Sequence, residues 1–234
     1  MAILTDKDKA AVRERLSEMV NAVKMIVFAP ATNLIAPGRR ECAFCTELRE
    51  LMSELADLHD KLQVEFVDPY ADPVRAAAYD LKKDGQGYLV PAIVLTGLQN
   101  GEEVDYGIRF YGIPAGYEFA TLLEDILMIS TGHHHLSPQV LDEVTKIDKP
   151  VDMMVFVTPT CPYCPRAVLT AHQFAFVNPN IRGAMIEAME FEQLSQDWNV
   201  YGVPKTVINE MVEFEGAMPD NMVLRYLENA LVKA

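Results

Sequence analysis

Cysteine is scarce in this chain: there are four in 234 residues, and none stands alone. All four fall in two Cys-x-x-Cys pairs, Cys42–Cys45 and Cys161–Cys164. A secreted scaffold held by disulfides carries more cysteines along a shorter chain, so that class is excluded and the paired spacing points to redox chemistry or metal binding. Positive charge is also short, with 20 Lys and Arg against 34 Asp and Glu and a net charge of −14. Nucleic acid and anionic membranes reward clustered positive charge, so neither is an expected partner. No apolar run approaches the ~20 residues that span a bilayer. The start turns charged at Asp6-Lys7-Asp8 with no secretory apolar stretch, so a cytoplasmic location is expected. Half the residues are hydrophobic, enough for a substantial core.

An order of elements occurs twice. Thr5 and Asp8 form a capping-box pattern before the helical spacing of Val12, Leu16, Met19, Val20 and Val23. The run 25–29 reads as a buried strand, and Cys42-Ala43-Phe44-Cys45 follows it. Leu48, Leu51, Met52, Leu55 and Leu58 then mark a helix, 64–67 a strand and 73–83 a further helical stretch. Val90-Pro91 leads into a strand over 92–95, and a helix over 118–130 closes the unit. The second half repeats the pattern. Ser137-Pro138 starts a helix striped by Val140, Leu141, Val144 and Ile147. A strand over 153–157 runs into Cys161-Pro162-Tyr163-Cys164 and a helix to about Phe176. A strand over 181–187, a short helix over 191–198, Val203-Pro204, a strand over 205–208 and a helix over 220–232 complete it.

Cys42 lies 49 positions before Pro91, and Cys161 lies 43 before Pro204. Strand–helix alternation of this kind predicts an α/β protein of two tandem units, each a central mixed β-sheet flanked by helices. The units are expected at 1–132 and 133–234, with the junction near Thr131 to Leu136. The first unit has an extra stretch, Asn33 to Glu41, ahead of its cysteines.

A Cys-x-x-Cys pair opening a helix sets a sulfur near unpaired N–H groups and the positive end of the macrodipole. Both favour thiolate, the nucleophilic form. Cys42 and Cys161 are therefore expected to attack, and Cys45 and Cys164 to resolve the mixed disulfide. Pro162 fixes φ in the second loop, whereas Ala43 and Phe44 impose less. Pro165 falls at the edge of what a helix tolerates if Cys161 is the N-cap. Arg166, Arg39 and Arg40 favour thiolates and Glu41 opposes that, so the two sites are expected to differ. A four-cysteine zinc site is the main competitor, but such sites bring their pairs within ~15–20 residues. Here 116 positions separate Cys45 from Cys161.

The motif Cys161-Pro162-Tyr163-Cys164 resembles the glutaredoxin active site, and the downstream Val-Pro resembles the cis-proline loop of the thioredoxin superfamily. Residues 107–119, Gly-Ile-Arg-Phe-Tyr-Gly-Ile-Pro-Ala-Gly-Tyr-Glu-Phe, and residues 155–165 are similar to the tandem protein disulfide oxidoreductases of thermophilic archaea and bacteria. That resemblance covers nearly the whole chain. It implies two thioredoxin folds that reduce, form and isomerise protein disulfides. It also implies electrons from a separate NADPH-dependent thioredoxin reductase, with no cofactor bound by the chain itself, which has no dinucleotide-binding glycine fingerprint. Pro91 and Pro204 take the cis-proline position, leaving the Val90 and Val203 backbones to pair with an extended substrate. With Pro162 and Tyr163 they make up the expected substrate-binding residues. A thermophilic source rests on resemblance alone, since only 23% of residues are charged.

Glu65 and Glu187 interrupt apolar strands and are candidate proton relays for the resolving thiols, Glu187 the better one, against the alternative that each faces water. His133-His134-His135 reads as a solvated linker, not a metal site, and His172 as packing within its helix. Trp198 and the twelve Met residues read as core. Two other functional classes compete: an electron-transfer module serving one dedicated partner such as a peroxidase system, and a non-catalytic peptide-binding chaperone. The oligomeric state is not legible.

Overall fold

The run Val23–Phe28 is interrupted only by Lys24, a pattern that suits a strand covered on both faces. In the computed structural model it is the central strand of the first unit. Residues 3–31, 38–99 and 101–233 are described by the structure, so residues 33–37 of the extra stretch ahead of Cys42 lie outside the described residues. The chain divides into two compact units. One comprises Met1–Asp105, Phe110–Ile113 and Ile126–Gly132; the other comprises Tyr106–Arg109, Pro114–Asp125 and His133–Ala234. Relative to a single cut after residue 132, two segments from the first half thus cluster with the second unit.

In the first unit, helix α1 (Asp6–Leu16) opens on the capping box. The Thr5 hydroxyl accepts from the Asp8 N–H at 3.2 Å, and the Asp8 carboxylate accepts from the Thr5 N–H at 3.1 Å. Strand β1 (Val23–Phe28) precedes α2 (Cys45–Ala56), whose Leu48, Leu51, Met52 and Leu55 are buried. Strand β2 (Leu62–Val67) runs parallel to β1. Helix α3 (Pro73–Ala78), capped by Asp72, stops five residues short of the expected end. Asp80 turns to φ 45°, and a hairpin of β3 (Lys83–Asp84) and β4 (Gly87–Tyr88) follows. Strand β5 (Ala92–Gln99) is antiparallel to β1, and β6 (Glu102–Tyr111) lies beside β5. Helix α4 (Tyr117–Thr131) is shared between the units at Asp125 and Ile126.

The second unit repeats the plan. Helix α5 (Pro138–Thr145) is capped by Ser137 and buries Val140 and Val144. The central strand β7 (Val151–Val157) leads to α6 (Cys164–Val177), β8 (Ile181–Glu187) and α7 (Glu192–Asp197). Strands β9 (Lys205–Ile208) and β10 (Val212–Glu215) then form a hairpin before α8 (Asp220–Lys233). The order β5-β1-β2 in one unit and β10-β9-β7-β8 in the other places each central strand between a parallel and an antiparallel neighbour. Both sheets are therefore mixed, with helices packed against them. In the second unit the central strand ends four positions before Cys161.

Candidate active sites

Each cysteine pair closes on itself. Cys42–Cys45 and Cys161–Cys164 are disulfides with Cα atoms 5.5 Å apart, so the pairs are two separate centres and not one four-cysteine cluster. Among the described residues no group of His, Cys, Asp and Glu is arranged to hold a metal ion.

Both helices begin at the second cysteine, which for α6 is two residues later than a Cys161 N-cap would set it. Phe44 and Tyr163 are the N-caps, and neither offers a side-chain hydrogen bond to the helix start. Ahead of α6, Cys161 N–H donates to the Thr158 carbonyl at 3.1 Å and Cys164 N–H to the Cys161 carbonyl at 3.4 Å, which makes the motif a tight turn. This corrects the reading of Cys161 as N-cap. Pro165 sits in the first helical turn, where its missing N–H breaks no bond. The disulfides lie at helix starts whose first N–H groups no side chain caps, the setting that lowers a thiol's pKa.

Accessibility separates the centres. Cys161 is 7% exposed and Cys164 0%, the order expected of attacking and resolving residues. At the first centre the order is reversed, with Cys42 at 3% and Cys45 at 7%. The approach to Cys42 is strapped down. Arg40 pairs with Asp84 of the β3–β4 hairpin, and its backbone N–H donates to the Tyr70 hydroxyl at 3.0 Å. Arg39 contacts Asp68 at 3.3 Å and lies 4.7 Å above the Tyr70 ring. A Cβ on Gly87 would meet the Gly38 carbonyl at 2.5 Å, so this approach requires glycine. The two arginines expected to favour a thiolate thus already face carboxylates.

Val90–Pro91 and Val203–Pro204 are both cis. Cys161 Sγ lies 3.7 Å from the Val203 carbonyl oxygen. Val203 is half-buried, whereas Val90 is buried. Beside Val203 a groove of about 340 Å³ is lined by Thr158, Ala188, Met189, Ser195 and Tyr201 among others. Met189 and Tyr201 stand exposed on it, and Tyr163, in the Cys-x-x-Cys turn, is 70% exposed. Pro162 is exposed in the same turn.

The two strand carboxylates differ. Glu187 closes β8 opposite Val157 and is buried, and its Oε2 accepts from the Glu190 N–H at 2.6 Å. Burial raises its pKa, opposed by backbone N–H groups of Glu190 and Met189. Glu65 is half-exposed in a cluster with Lys24, Arg75 and Glu103, at 3.2 Å from Lys24 and 3.0 Å from Arg75. Burial acts to raise its pKa, but Arg75 and Lys24 hold it below the usual carboxylate range. Of the pair, only Glu187 has the raised pKa that a relay needs.

A third carboxylate escaped sequence reasoning. Glu118, in the first turn of α4, is buried, and desolvation raises its pKa to about 7. The neighbouring Tyr117 N–H donates to the Pro159 carbonyl at 3.2 Å, and Gly116 packs so closely on Pro159 that a Cβ would come within 2.1 Å of its oxygen. Glu118 is thus one residue from an anchor on the loop that carries Cys161. Its signal was present: two carboxylates seven residues apart, Glu118 and Asp125, share one face of a helix rich in apolar residues. His172, read as packing in its helix, is fully buried with its Nδ1 2.6 Å from Asp125 Oδ2. The His133 and His135 rings lie 5.1 Å apart, tilted to each other, beyond the end of α4.

Comparison with known proteins agrees with this geometry. A Thioredoxin domain family matches residues 151–228. The chain is 28% identical over 148 residues to the alkyl hydroperoxide reductase component AhpF of Pseudomonas aeruginosa, covering 63% of this chain and 28% of that protein. The Escherichia coli AhpF is 27% identical over 180 residues, covering 76% and 30%. The chain therefore spans less than a third of the length of these curated relatives. Among solved structures, a protein disulfide oxidoreductase from Aeropyrum pernix superimposes with a TM-score of 0.84 at 25% identity, covering 98% of this chain and 94% of that one. The NTD_N/C domain of alkylhydroperoxide reductase AhpF from Enterococcus faecalis gives 0.82 at 20% identity, covering 96% and 99%, a likeness of fold.

Proposed function

We propose that this chain, a thiol–disulfide oxidoreductase built from two tandem thioredoxin-like units, exchanges disulfides with protein substrates chiefly at Cys161–Cys164. The observation that carries the reading is the contact of Cys161 Sγ with the Val203 carbonyl, 3.7 Å away beside an open groove. In the reduced centre the Cys161 thiolate attacks a substrate disulfide and forms a mixed disulfide. Cys164 then attacks Cys161, releasing the substrate cysteine as a thiol and regenerating the intramolecular disulfide. The steps reversed oxidise a dithiol, and release before resolution permits isomerisation. An extended substrate segment pairs with the backbone beside Val203 and Pro204 and meets Pro162 and Tyr163, a form of sheet-edge recognition. Val90 and Pro91 take the corresponding place beside Cys42–Cys45, which cycles by the same chemistry behind its Arg40–Asp84 strap. The raised pKa of Glu187 supports a part for it in moving the resolving thiol's proton. Electrons come from a separate NADPH-dependent thioredoxin reductase, and the protein works in the cytoplasm. No helix among the described residues is long and apolar enough to cross a membrane.

Insulin reduction with dithiothreitol tests this. Cys161→Ser is expected to lose more than about nine-tenths of the activity, and Cys42→Ser much less. Activity surviving in the double variant would sink the redox mechanism. A second reading, favoured by the match to part of AhpF, is an electron-transfer module for one partner in a peroxidase system. Turnover of unrelated protein disulfides argues against that reading, and their complete rejection argues for it.

A further inference from the structure

The cis bond between Val203 and Pro204 is followed by a charge that the exchange chemistry does not use. Lys205 opens β9 opposite Phe156 of the central strand, yet it is only 4% exposed. An ammonium leaves water at high cost unless each of its three N–H groups finds an acceptor. Here each one does. Lys205 Nζ donates to the Trp198 carbonyl at 2.7 Å, to the Asn199 carbonyl at 3.3 Å and to Glu213 Oε2 of β10 at 3.0 Å. The two carbonyls lie just past the end of α7. There Asn199 turns to φ 50°, its N–H donates to the Gln196 carbonyl at 3.0 Å, and the Val200 N–H donates to the Ser195 carbonyl at 2.8 Å. This closure is a Schellman motif, which takes up the carbonyls of Ser195 and Gln196. Lys205 takes up those of Trp198 and Asn199.

The chain reaches Lys205 six positions after Asn199, so the side chain at one end of the loop 199–205 holds the backbone at the other end. Between them lie Val200, Tyr201, Gly202 and Val203, which line the groove together with Ser195 and Gln196. At the last step the Val203 carbonyl lies 3.7 Å from Cys161 Sγ. We propose that Lys205 is a positioning residue of the Cys161–Cys164 centre: its buried ammonium staples this loop at its base and so holds the Tyr201–Val203 wall of the groove in place for an extended substrate segment. This rests on the reading of that groove as the substrate site. Lys205 acts through the loop and takes no part in the bond exchange. Without the ammonium, two carbonyls turn to water and the loop gains conformations that the substrate must remove on binding. The cost therefore falls on binding and not on the chemical step. The first unit has no counterpart to this staple. Its cis-Pro91 is followed by Ala92, which has no donor side chain. The segment ahead of Pro91 is held instead by the pairing of β3 with β4 and by the Leu89 N–H on the Lys82 carbonyl at 2.9 Å.

The test uses the full chain carrying Cys42→Ser and Cys45→Ser, so that only the second centre reports. Adding Lys205→Met should raise the KM for insulin about tenfold at excess dithiothreitol, the scale of a lost hydrogen bond to a charged group, with kcat kept within about twofold. Reduction of the Cys161–Cys164 disulfide by dithiothreitol alone, followed by quenched mass spectrometry, should keep its rate, because a small dithiol needs no groove wall. Trp198 is the one tryptophan of the chain and reports on the staple directly. Acrylamide should quench its fluorescence more strongly in Lys205→Met than in the parent. A KM equal to the parent's overturns the proposal, and so does a matching slowdown of the dithiothreitol reaction, which marks a general loss of packing. Should Lys205→Met fail to fold, Lys205→Gln takes its place, since it keeps a polar end without the charge or the reach. The same rise in KM is expected of it, and the same invariance overturns the proposal. If the parent does not turn insulin over, the substrate reading falls by that result alone. Trp198 quenching then decides the staple, and equal quenching in parent and variant overturns it.

Discussion

Glu118 illustrates how one buried carboxyl couples stability to pH. In the unfolded chain it titrates at its ordinary value of 4.5, and in the fold at about 7. The folded state therefore holds the proton more tightly. The associated stability is fully present below about pH 4.5, declines as the pH rises, and is lost above about pH 7. Glu187 is raised in the same direction by burial and adds to the same slope. Urea unfolding of the oxidised protein at pH 5 and pH 8 should show the loss, of the order of 3 kcal/mol for Glu118. Glu118→Gln should flatten most of that difference, and an unchanged pH dependence would refute the assignment. Sequence alone singled out Glu65 and Glu187 because each breaks an apolar strand. It passed over Glu118 because one carboxylate in a helix's first turn also suits the macrodipole. Only packing on the Pro159 loop distinguishes the two meanings.

At the scale of elements, the clearest contrast is between the approaches to the two centres. The β3–β4 hairpin grips residues ahead of Cys42 through Arg40–Asp84 and Tyr70, whereas Val203 opens onto a groove. Arg40→Ala should loosen the first approach and speed reduction of Cys42–Cys45 by dithiothreitol roughly tenfold, the equivalent of about 1.4 kcal/mol for a charge-assisted contact. Quenched mass spectrometry can follow both disulfides in one sample, and Cys161–Cys164 should keep its rate. Equal rates for the first disulfide in both proteins would mean that the strap imposes no barrier. Strongly apolar strands such as 153–157 and helices with clear stripes such as 48–58 were readable from periodicity. The hairpin was not, because two-residue strands carry no period. Strand β6 was also missed, since Glu102, Glu103 and Asp105 mask its alternation. Helix α3 ends early because the chain turns left-handed at Asp80, a backbone change that side-chain periodicity does not mark.

At the scale of the whole molecule, the boundary between units does not follow the chain. Tyr106–Arg109 and Pro114–Asp125 cluster with the second unit, and they include the Asp125 partner of the buried His172. A fragment spanning 133–234 therefore leaves His172 without its carboxylate. It should be less stable in urea than a fragment spanning 102–234 by about 3–5 kcal/mol, the cost of breaking a buried pair. Matching unfolding midpoints would show that the shared segments are dispensable.

By itself the sequence determined the fold class, the duplication and the two Cys-x-x-Cys centres, because apolar periodicity and fixed spacing are local properties of the chain. The resemblance of the Cys-Pro-Tyr-Cys motif and the Val-Pro loops to known oxidoreductases carried the chemistry as well. Tertiary structure decided what spacing does not encode: that the first centre is strapped and the second open, that Arg39 and Arg40 face carboxylates, that Glu118 is buried next to an anchor on the Pro159 loop, and that Asp125 and His172 meet in the interior. Those outcomes depend on which side chains share a low-dielectric space, and residues 47 positions apart, Asp125 and His172, come to share one only through the fold.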